Sequence, residues 1–296
     1  MDGILCINKP KEYTSFDVVA RIRGMSKTRR VGHSGTLDPM ATGVLPVFIG
    51  NATKACDRMP TDTKSYTADF LFGKTSDTLD IWGTILSEQV SRVTEDELRR
   101  YLPEFRGEIV QIPPMYSAVR VNGQRLYDLA RQGKEVERQP RTVFVHHLEL
   151  LSFDGASQSG RLEISCSKGT YIRSILNDLG SRLGVGGIMT GLVRTAAGPF
   201  SLADSITLEE AQALTEAGRL EERLLPVDRL FGSLPEIRLN EVQSRKFRNG
   251  VRLDLNRVRC RPGEGLHRVY AQDRVFLGLA RSCPEEALLR IEKLFV

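Results

Sequence analysis

The sequence has 296 residues, more than the roughly 100 to 200 of a typical domain, which predicts one large domain with a small appendage. Hydrophobic residues make up 41% of the chain and charged residues 27%, a globular composition that excludes extensive disorder. Lys and Arg outnumber Asp and Glu by 42 to 37, and the pI near 9.0 favours a polyanionic partner over an acidic protein.

The cysteines and the N-terminal residues indicate the compartment. The five cysteines, at positions 6, 56, 166, 260 and 283, form no CxxC pair and are odd in number, so they predict neither a zinc knuckle nor a disulfide framework. Positions 1–13 carry charges and a proline, and no apolar run approaches the roughly 18 residues that span a bilayer. We therefore expect a soluble, cytoplasmic protein that is not exported.

Hydrophobic patterning predicts strands and helices along the first 231 residues. An apolar run at 4–7 and the turn Asn8-Lys9-Pro10 lead into a helix at 16–22, preceded by Thr14 and Ser15 as cap candidates. Thr94 caps a second predicted helix at 95–101. Further strands are predicted at 44–49, 65–72, 143–153 and 161–167, and further helices at 171–183 and 207–217.

Two segments of the chain are rich in basic residues. Residues 113–141 carry Arg and Lys in excess of Asp and Glu, which predicts a mobile, partly helical insertion. Prolines and a glycine between 226 and 235 predict a domain boundary close to residue 232, which divides the chain into 1–231 and 232–296. The part after it is predicted to be β-rich and basic, with Arg245, Lys246, Arg248, Arg252, Arg257, Arg259 and Arg261.

A glycine-punctuated loop at 32–43, Gly-His-Ser-Gly-Thr-Leu-Asp-Pro-Met-Ala-Thr-Gly, can approach a phosphate closely. It lacks the Gly-Lys-Ser/Thr ending of a P-loop and the GxGxxG spacing, which disfavours a kinase or a dehydrogenase. It also misses the GxSxG spacing of a nucleophile elbow, although spacing alone leaves open a hydrolase that uses Ser34 and His33. His146 and His147 come without an HExxH pattern and are interpreted as ordinary strand residues.

Four motifs, in a fixed order, carry a family resemblance. Taken alone, Asp38 before Pro39 is equally well interpreted as a turn former. The motifs are Asn8-Lys9-Pro10, the loop 32–45 around Asp38, Lys64-Ser65-Tyr66, and Gly169-Thr170-Tyr171-Ile172-Arg173. In this order they resemble the TruB family of pseudouridine synthases, and the resemblance extends to 113–118, 123–131 and 191–194.

The resemblance implies both a fold and an activity. The implied fold is α+β, with a large, mostly antiparallel twisted sheet, a flexible thumb insertion at about 113–142 and a small β-rich, PUA-like RNA-binding domain at 232–296. The implied activity is isomerisation of the uridine at position 55 in the T loop of tRNA, without a metal, nucleotide or organic cofactor. The expected partner is the T-arm stem-loop, and a monomer without an obligate protein partner is expected. A further role in tRNA folding stays open.

The chemistry of this isomerisation explains the need for a carboxylate. The C1′–N1 bond breaks, the uracil rotates while bound, and C1′ is joined to C5. A carboxylate beneath C1′ can stabilise developing oxocarbenium charge or bond covalently, as in retaining glycosidases. A glycal formed by loss of the C2′ proton, and addition of the carboxylate to C6, are alternative routes, and all three stay open.

The resemblance also implies seven site residues. Catalytic roles fall to Asp38, Tyr66 and Arg173, and substrate-binding roles to His33, Lys64, Tyr171 and Leu192. Tyr66 is expected to stack on the flipped base or to accept the C5 proton, and Arg173 is expected to keep Asp38 ionised. Tyr171 and Arg173 are two positions apart, so on an extended segment both side chains would face one side. Without the resemblance, Leu192 is a core residue and Arg173 a solvated one.

Two other functions stay open at this point. A guide-RNA-dependent pseudouridine synthase would share the loop around Asp38 but needs protein partners and a fuller C-terminal domain than residues 232–296 provide. A non-catalytic RNA-binding protein or chaperone would carry the basic segments and would be indifferent to the identity of Asp38.

Overall fold

The computed structural model describes residues 1–58, 63–258 and 263–296. The predictions for Arg259, Cys260 and Arg261 lie outside the described residues. The helices are α1 (Ser15–Ser26), α2 (Glu95–Tyr101), α3 (Leu126–Arg131), α4 (Ile172–Arg182), α5 (Leu208–Glu216) and α6 (Glu241–Arg248). The strands are β1 (Gly3–Lys9), β2 (Val31–His33), β3 (Thr42–Ile49), β4 (Lys64–Phe72), β5 (Lys74–Ser76), β6 (Ile85–Glu88), β7 (Gly107–Gln111), β8 (Arg120–Val121), β9 (Gln124–Arg125), β10 (Arg141–Asp154), β11 (Ser159–Cys166), β12 (Gly187–Ala197), β13 (Phe200–Ser201), β14 (Glu236–Arg238), β15 (Leu253–Asp254), β16 (Gly265–Tyr270), β17 (Phe276–Cys283) and β18 (Leu288–Leu294).

A nine-stranded sheet forms the centre of the larger part of the chain. Its order is β1-β3-β12-β4-β11-β10-β7, with β2 added to β3 and β13 added to β12. Among its described pairings, β3 and β12 run parallel and the others antiparallel. The α+β class and the mostly antiparallel sheet are therefore confirmed. Along β4 every second side chain is buried, so Lys64 and Tyr66 lie on the same face of the sheet.

Capping residues set the starts of the predicted helices. The side chains of Thr14, Thr94 and Thr207 each accept a hydrogen bond from the backbone N–H three residues on. The acidic side chain at that position accepts one from the backbone N–H of the threonine, which completes a capping box. These caps confirm the helices predicted from 16, 95 and 207. The described helices are too short or too polar for any of them to cross a membrane.

The predicted insertion at 113–142 contains the short β8–β9 hairpin and α3. Leu126 and Leu129 of α3 are buried, and Arg138 donates a hydrogen bond to the carbonyl of Pro113 at 3.3 Å, which joins the two ends of the segment. The partly helical character is therefore confirmed, and the mobility of the segment stays a prediction.

The C-terminal part forms a five-stranded sheet in the order β14-β16-β17-β18-β15. The β-rich prediction is confirmed, but it missed α6, which holds Arg245, Lys246 and Arg248. Asn240 caps α6 in a capping box with Gln243, the local signal that the strand interpretation overlooked. The domain boundary near 232 stays a prediction.

Candidate active site

The loop that carries Asp38 joins β2 to β3 and is held on both sides of the aspartate. Before it, the Ser15 hydroxyl accepts from the Leu37 N–H at 2.8 Å and donates to the Leu37 carbonyl at 3.2 Å. After it, the buried Lys9 ammonium donates to the Pro39 carbonyl at 3.3 Å. The start of α1 and the end of β1 therefore fix the backbone around Asp38.

The backbone of Asp38 also makes a turn, because its carbonyl accepts from the Ala41 N–H at 3.0 Å. The turn interpretation and the site interpretation are therefore compatible. The backbone carbonyl serves the turn, and the carboxylate, 38% exposed, lines a cavity.

The Arg173 guanidinium pairs with that carboxylate. Its Nη2 lies 3.0 Å from Asp38 Oδ2, and its side chain is only 5% exposed. The same guanidinium donates to the carbonyls of Thr78 at 2.8 Å and Tyr116 at 2.9 Å, and its Nη1 lies 3.6 Å from Asp80 Oδ2. Because several acceptors hold the planar guanidinium group of Arg173 in one orientation, Arg173 fixes the position of the Asp38 carboxylate.

Tyr171 and Arg173 do not lie together on an extended segment, the case considered from their spacing. Tyr171 is the extended residue that precedes α4, and Arg173 lies in the first turn of the helix. Both still face the cavity, because the buried Gln111 side chain holds the Tyr171 peptide in place. Gln111 donates to the Tyr171 carbonyl at 3.2 Å and accepts from its N–H at 3.1 Å.

The buried pair of Tyr66 and Arg194 lies beneath the cavity, on adjacent strands β4 and β12. Arg194 is fully buried and donates to the carbonyls of Val44 at 2.7 Å and Gly35 at 3.0 Å. Burial raises the pKa of the Tyr66 phenol to about 12, although the Arg194 guanidinium and its hydrogen bond to the phenol oppose the shift. Tyr66 therefore carries a protonated hydroxyl at neutral pH.

Six of the seven predicted site residues line one cavity of about 250 Å³. They are Asp38, Lys64, Tyr66, Tyr171, Arg173 and Leu192. The seventh, His33, lines a neighbouring cavity of about 760 Å³, which shares Asp38 and Arg173 with the first. Burial lowers the pKa of the His33 imidazole, and the positive charge of Arg194 lowers it further. Arg173 is buried rather than solvated, and Leu192 is buried yet reaches the cavity.

Three supporting residues received no role from the sequence: Asp80, Gln111 and Arg194. Arg194 ends the Gly191-Leu-Val-Arg194 motif, where a charged residue in an otherwise apolar strand signals a buried partner. Asp80 acts through an ion pair with Arg173 and Gln111 through hydrogen bonds to Tyr171, and no local pattern of the sequence reports such distant contacts.

Outside this site, one group of described residues has side chains of the types that bind metal ions, close enough together to share one. His147 Nε2 lies 3.3 Å from Glu149 Oε2 and 3.7 Å from Glu163 Oε2. All three side chains are exposed on neighbouring strands β10 and β11, as expected of ordinary strand residues. They form surface ion pairs when His147 is protonated.

Comparison with known proteins identifies the family. Profiles of "TruB family pseudouridylate synthase (N terminal domain)", "tRNA pseudouridylate synthase B C-terminal domain" and "Pseudouridine synthase II TruB, C-terminal" match residues 23–172, 173–232 and 235–290. A tRNA pseudouridine synthase B of Clostridium kluyveri is 39% identical over 297 residues, which cover 100% of both chains. One of Dehalococcoides mccartyi is 46% identical over 256 residues, 86% of this chain and 85% of the relative.

The fold is similar to that of a chain in the crystal structure of a Cbf5-Nop10-Gar1 complex. The TM-score is 0.75 at 25% identity, and the match covers 99% of this chain and 85% of the other. Together, the profiles and the relatives leave one assignment. The chain belongs to the TruB family of pseudouridylate synthases and is an isomerase of that family.

Proposed function

We propose that this chain converts the uridine at position 55 in the T loop of tRNA to pseudouridine, with Asp38 as the residue that attacks or steers the uridine. The observation that carries the proposal is the ion pair between Asp38 and the buried Arg173 at the wall of a cavity lined by Tyr66 and Leu192. The names of the relatives, tRNA pseudouridine synthase B, support tRNA as the RNA class.

Because a base within a helix or a stacked loop cannot reach a carboxylate at the wall of a cavity, the uridine must be flipped into the cavity. There the base would lie between the Tyr66 ring and the Leu192 side chain. Asp38, oriented by Arg173, would act on the sugar or the base while the C1′–N1 bond breaks and C1′ bonds to C5. The C5 proton is lost and N1 gains one, so the step needs no external oxidant or cofactor.

The protonated phenol favours one of the two roles expected of Tyr66. A phenol with a pKa of about 12 keeps its proton at neutral pH, so it is a poor acceptor for the C5 proton. Its buried ring offers a flat face to a base. We therefore assign Tyr66 to stacking. Lys64 and Tyr171, which line the same cavity, are assigned to the sugar and phosphate of the flipped nucleotide, and His33 to the space that the base leaves.

The test is tritium release from C5-labelled uridine in a T-arm stem-loop, with a metal chelator present. We expect release by the unaltered chain and at least about 10³-fold slower release by Asp38→Asn, with RNA binding retained, because the group that acts on the reacting atoms is gone. Asp154→Asn is the matched control, since Asp154 is exposed at the end of β10. Equal rates for Asp38→Asn and the control would overturn the assignment.

A guide-RNA-dependent synthase is the second candidate, because the similar solved chain comes from a complex with Nop10 and Gar1. The assay separates the two: release from a stem-loop, without guide RNA or partner protein, supports the tRNA enzyme. A non-catalytic RNA-binding protein would bind the stem-loop, and neither the unaltered chain nor Asp38→Asn would release label.

A further inference from the structure

Trp82, the single tryptophan of the chain, lies on the turn between β5 and β6. Its side chain is 47% exposed and lines the 760 Å³ cavity beside Asp38. A large aromatic ring that is left in solvent forgoes the favourable free energy that its burial in the core would contribute. The exposed ring is therefore a candidate contact surface.

The turn that carries Trp82 is held firmly. The Trp82 N–H donates to Asp80 Oδ1 at 3.0 Å, and the Thr78 hydroxyl donates to the same oxygen at 2.8 Å. On either side of Asp80 the backbone is tied to β12: the Leu79 carbonyl accepts from the Met189 N–H at 3.1 Å, and the Ile81 N–H donates to the Met189 carbonyl at 2.9 Å. The ring is therefore presented on a fixed backbone, as a stacking platform requires.

Asp80 also connects this turn to the catalytic carboxylate. One of its oxygens accepts from the Trp82 N–H, and the other lies 3.6 Å from Arg173 Nη1. Arg173 in turn contacts Asp38. Three successive polar contacts thus connect the Trp82 backbone to Asp38. Because the Trp82 side chain and Asp38 line the same cavity, a nucleotide on the indole would neighbour the nucleotide in the catalytic cavity.

Further residues that line the larger cavity are aromatic or cationic. Phe16 is 65% exposed, and the guanidinium groups of Arg125 and Arg131 lie 5.7 and 5.5 Å from the centre of the Tyr127 ring. On Trp82 itself, the Lys11 ammonium lies 5.7 Å from the ring centre. Aromatic rings interleaved with cations are typical of surfaces that bind unpaired nucleotides, because the rings stack on bases and the cations contact phosphates.

We propose that Trp82 and Lys11 form a second nucleotide subsite, in which an unpaired base directly next to the target uridine stacks on the indole and Lys11 binds its phosphate. The proposal rests on the proposed function, since it places a neighbour of the flipped uridine. The flexible Lys11 side chain moves from the ring face to the phosphate when RNA binds, and Trp82 contributes to the choice of RNA substrate rather than to the bond-breaking step.

The single tryptophan allows a direct test by fluorescence. The Asp38→Asn chain, which binds substrate without turnover, is titrated with the T-arm stem-loop while an anisotropy assay with labelled RNA follows binding separately. We expect tryptophan emission to be quenched in step with binding. A stem-loop with an abasic residue on one side of the target uridine should bind with most of the quenching lost, and one with the abasic residue on the other side should quench normally. Binding without quenching, or normal quenching with both abasic RNAs, would overturn the subsite.

Steady-state kinetics with the otherwise unaltered chain provide a second measurement. Trp82→Leu keeps an apolar side chain but removes the ring, so KM should rise about 5-fold or more, the lower end of the effect of losing one stacked base. At saturating RNA kcat should change less than KM, and Trp82→Phe should restore most of the loss. A lower kcat with unchanged KM would instead show that the turn acts only through Asp80 and Arg173.

Salt dependence tests the role of Lys11. Lys11→Ala should reduce the slope of log affinity against log salt by about 0.7 to 0.9, the contribution of one phosphate contact. Arg92→Ala removes another exposed cation, before α2, and should leave the slope unchanged. Equal slopes for both variants would contradict the phosphate contact.

If the unaltered chain isomerises no stem-loop, the proposed function itself fails, whereas isomerisation without quenching refutes only the subsite.

Discussion

The pairing of Tyr66 with Arg194 links a single buried cation to the ring that is proposed to stack on the target base. Arg194 lies opposite Tyr66 on β12, and its guanidinium is anchored by the carbonyls of Val44 and Gly35. A buried guanidinium needs such acceptors, because a buried charge without partners costs several kcal/mol, about the whole margin of stability of a protein. Since Gly35 belongs to the loop of Asp38, one residue positions both the ring and the loop.

The raised pKa of Tyr66 leads to a prediction for the pH dependence of the reaction. Because the phenol is neutral when protonated, a pKa raised from 10.0 to about 12 keeps it protonated over a wider range of alkaline pH. Between about pH 7 and pH 9, kcat/KM should therefore have the same pH dependence in Tyr66→Phe as in the unaltered chain. The variant keeps the ring that is proposed to stack, so its KM should stay similar. An alkaline limb found only in the unaltered chain would show that a phenolate forms, and would contradict the assignment to stacking.

At the scale of residues, motifs predicted the groups that face the cavity better than those that support them. Asp38, Tyr66 and Leu192 belong to short motifs, and the fold brings them together. Asp80 and Gln111 support the cavity through contacts with Arg173 and Tyr171, which lie far away in the sequence. Such contacts depend on the folded structure, so spacing and composition could not reveal them.

At the scale of elements, the parallel contact between β3 and β12 requires a residue without a Cβ at position 43. Its φ is +103°, and a Cβ there would lie 2.2 Å from the Arg194 carbonyl oxygen. Since that oxygen belongs to the backbone of the neighbouring strand, no side-chain rotation could relieve the overlap. The close approach of the two strands aligns the loop of Asp38 with Arg194, so the glycine is required by both the backbone conformation and the packing.

Gly43→Ala should therefore be markedly more destabilising than an alanine at another glycine with positive φ. Gly107 is the matched control, because its φ is +77° and a Cβ there would meet no atom within 4 Å. We expect Gly107→Ala to cost about 1 kcal/mol of unfolding free energy, and Gly43→Ala to cost about 1 to 3 kcal/mol more, measured by urea unfolding. Similar losses in the two variants would mean that β3 and β12 can separate at no cost.

The elements that the sequence predicted well are those with local signals. Threonine caps gave the starts of α1, α2 and α5, since a cap satisfies backbone donors within three residues. Tyr171 was placed in a helix that begins one residue later, and the face that it shares with Arg173 comes from tertiary contacts. The polar helix α6 was missed because its hydrophobic face is too narrow to stand out within a β-rich segment.

At the scale of the whole molecule, the two parts of the chain share a hydrophobic cluster. Ile4 and Phe48 of the large sheet and Leu279 of the C-terminal sheet are among its buried members. Phe231, at the junction, lies 6.2 Å from Phe276 and 5.8 Å from Phe295 between ring centres. A boundary near 232 was predicted from prolines and a glycine, but no local feature of the sequence indicates that apolar side chains pack across it. An apolar contact of this kind couples the unfolding of the two parts.

This coupling can be measured by calorimetry. The unaltered chain should unfold in one transition, and Phe231→Ala should split it into two, because it removes a side chain from the shared cluster at a cost of about 3 to 5 kcal/mol. Phe247→Ala is the matched control: Phe247 is equally buried, but its cluster contains only residues of the C-terminal part. It should lower the temperature of a single transition, since the shared contact is intact. Two transitions in the unaltered chain would show that the parts are energetically independent, and the RNA would then have to bind two separately mobile surfaces rather than one.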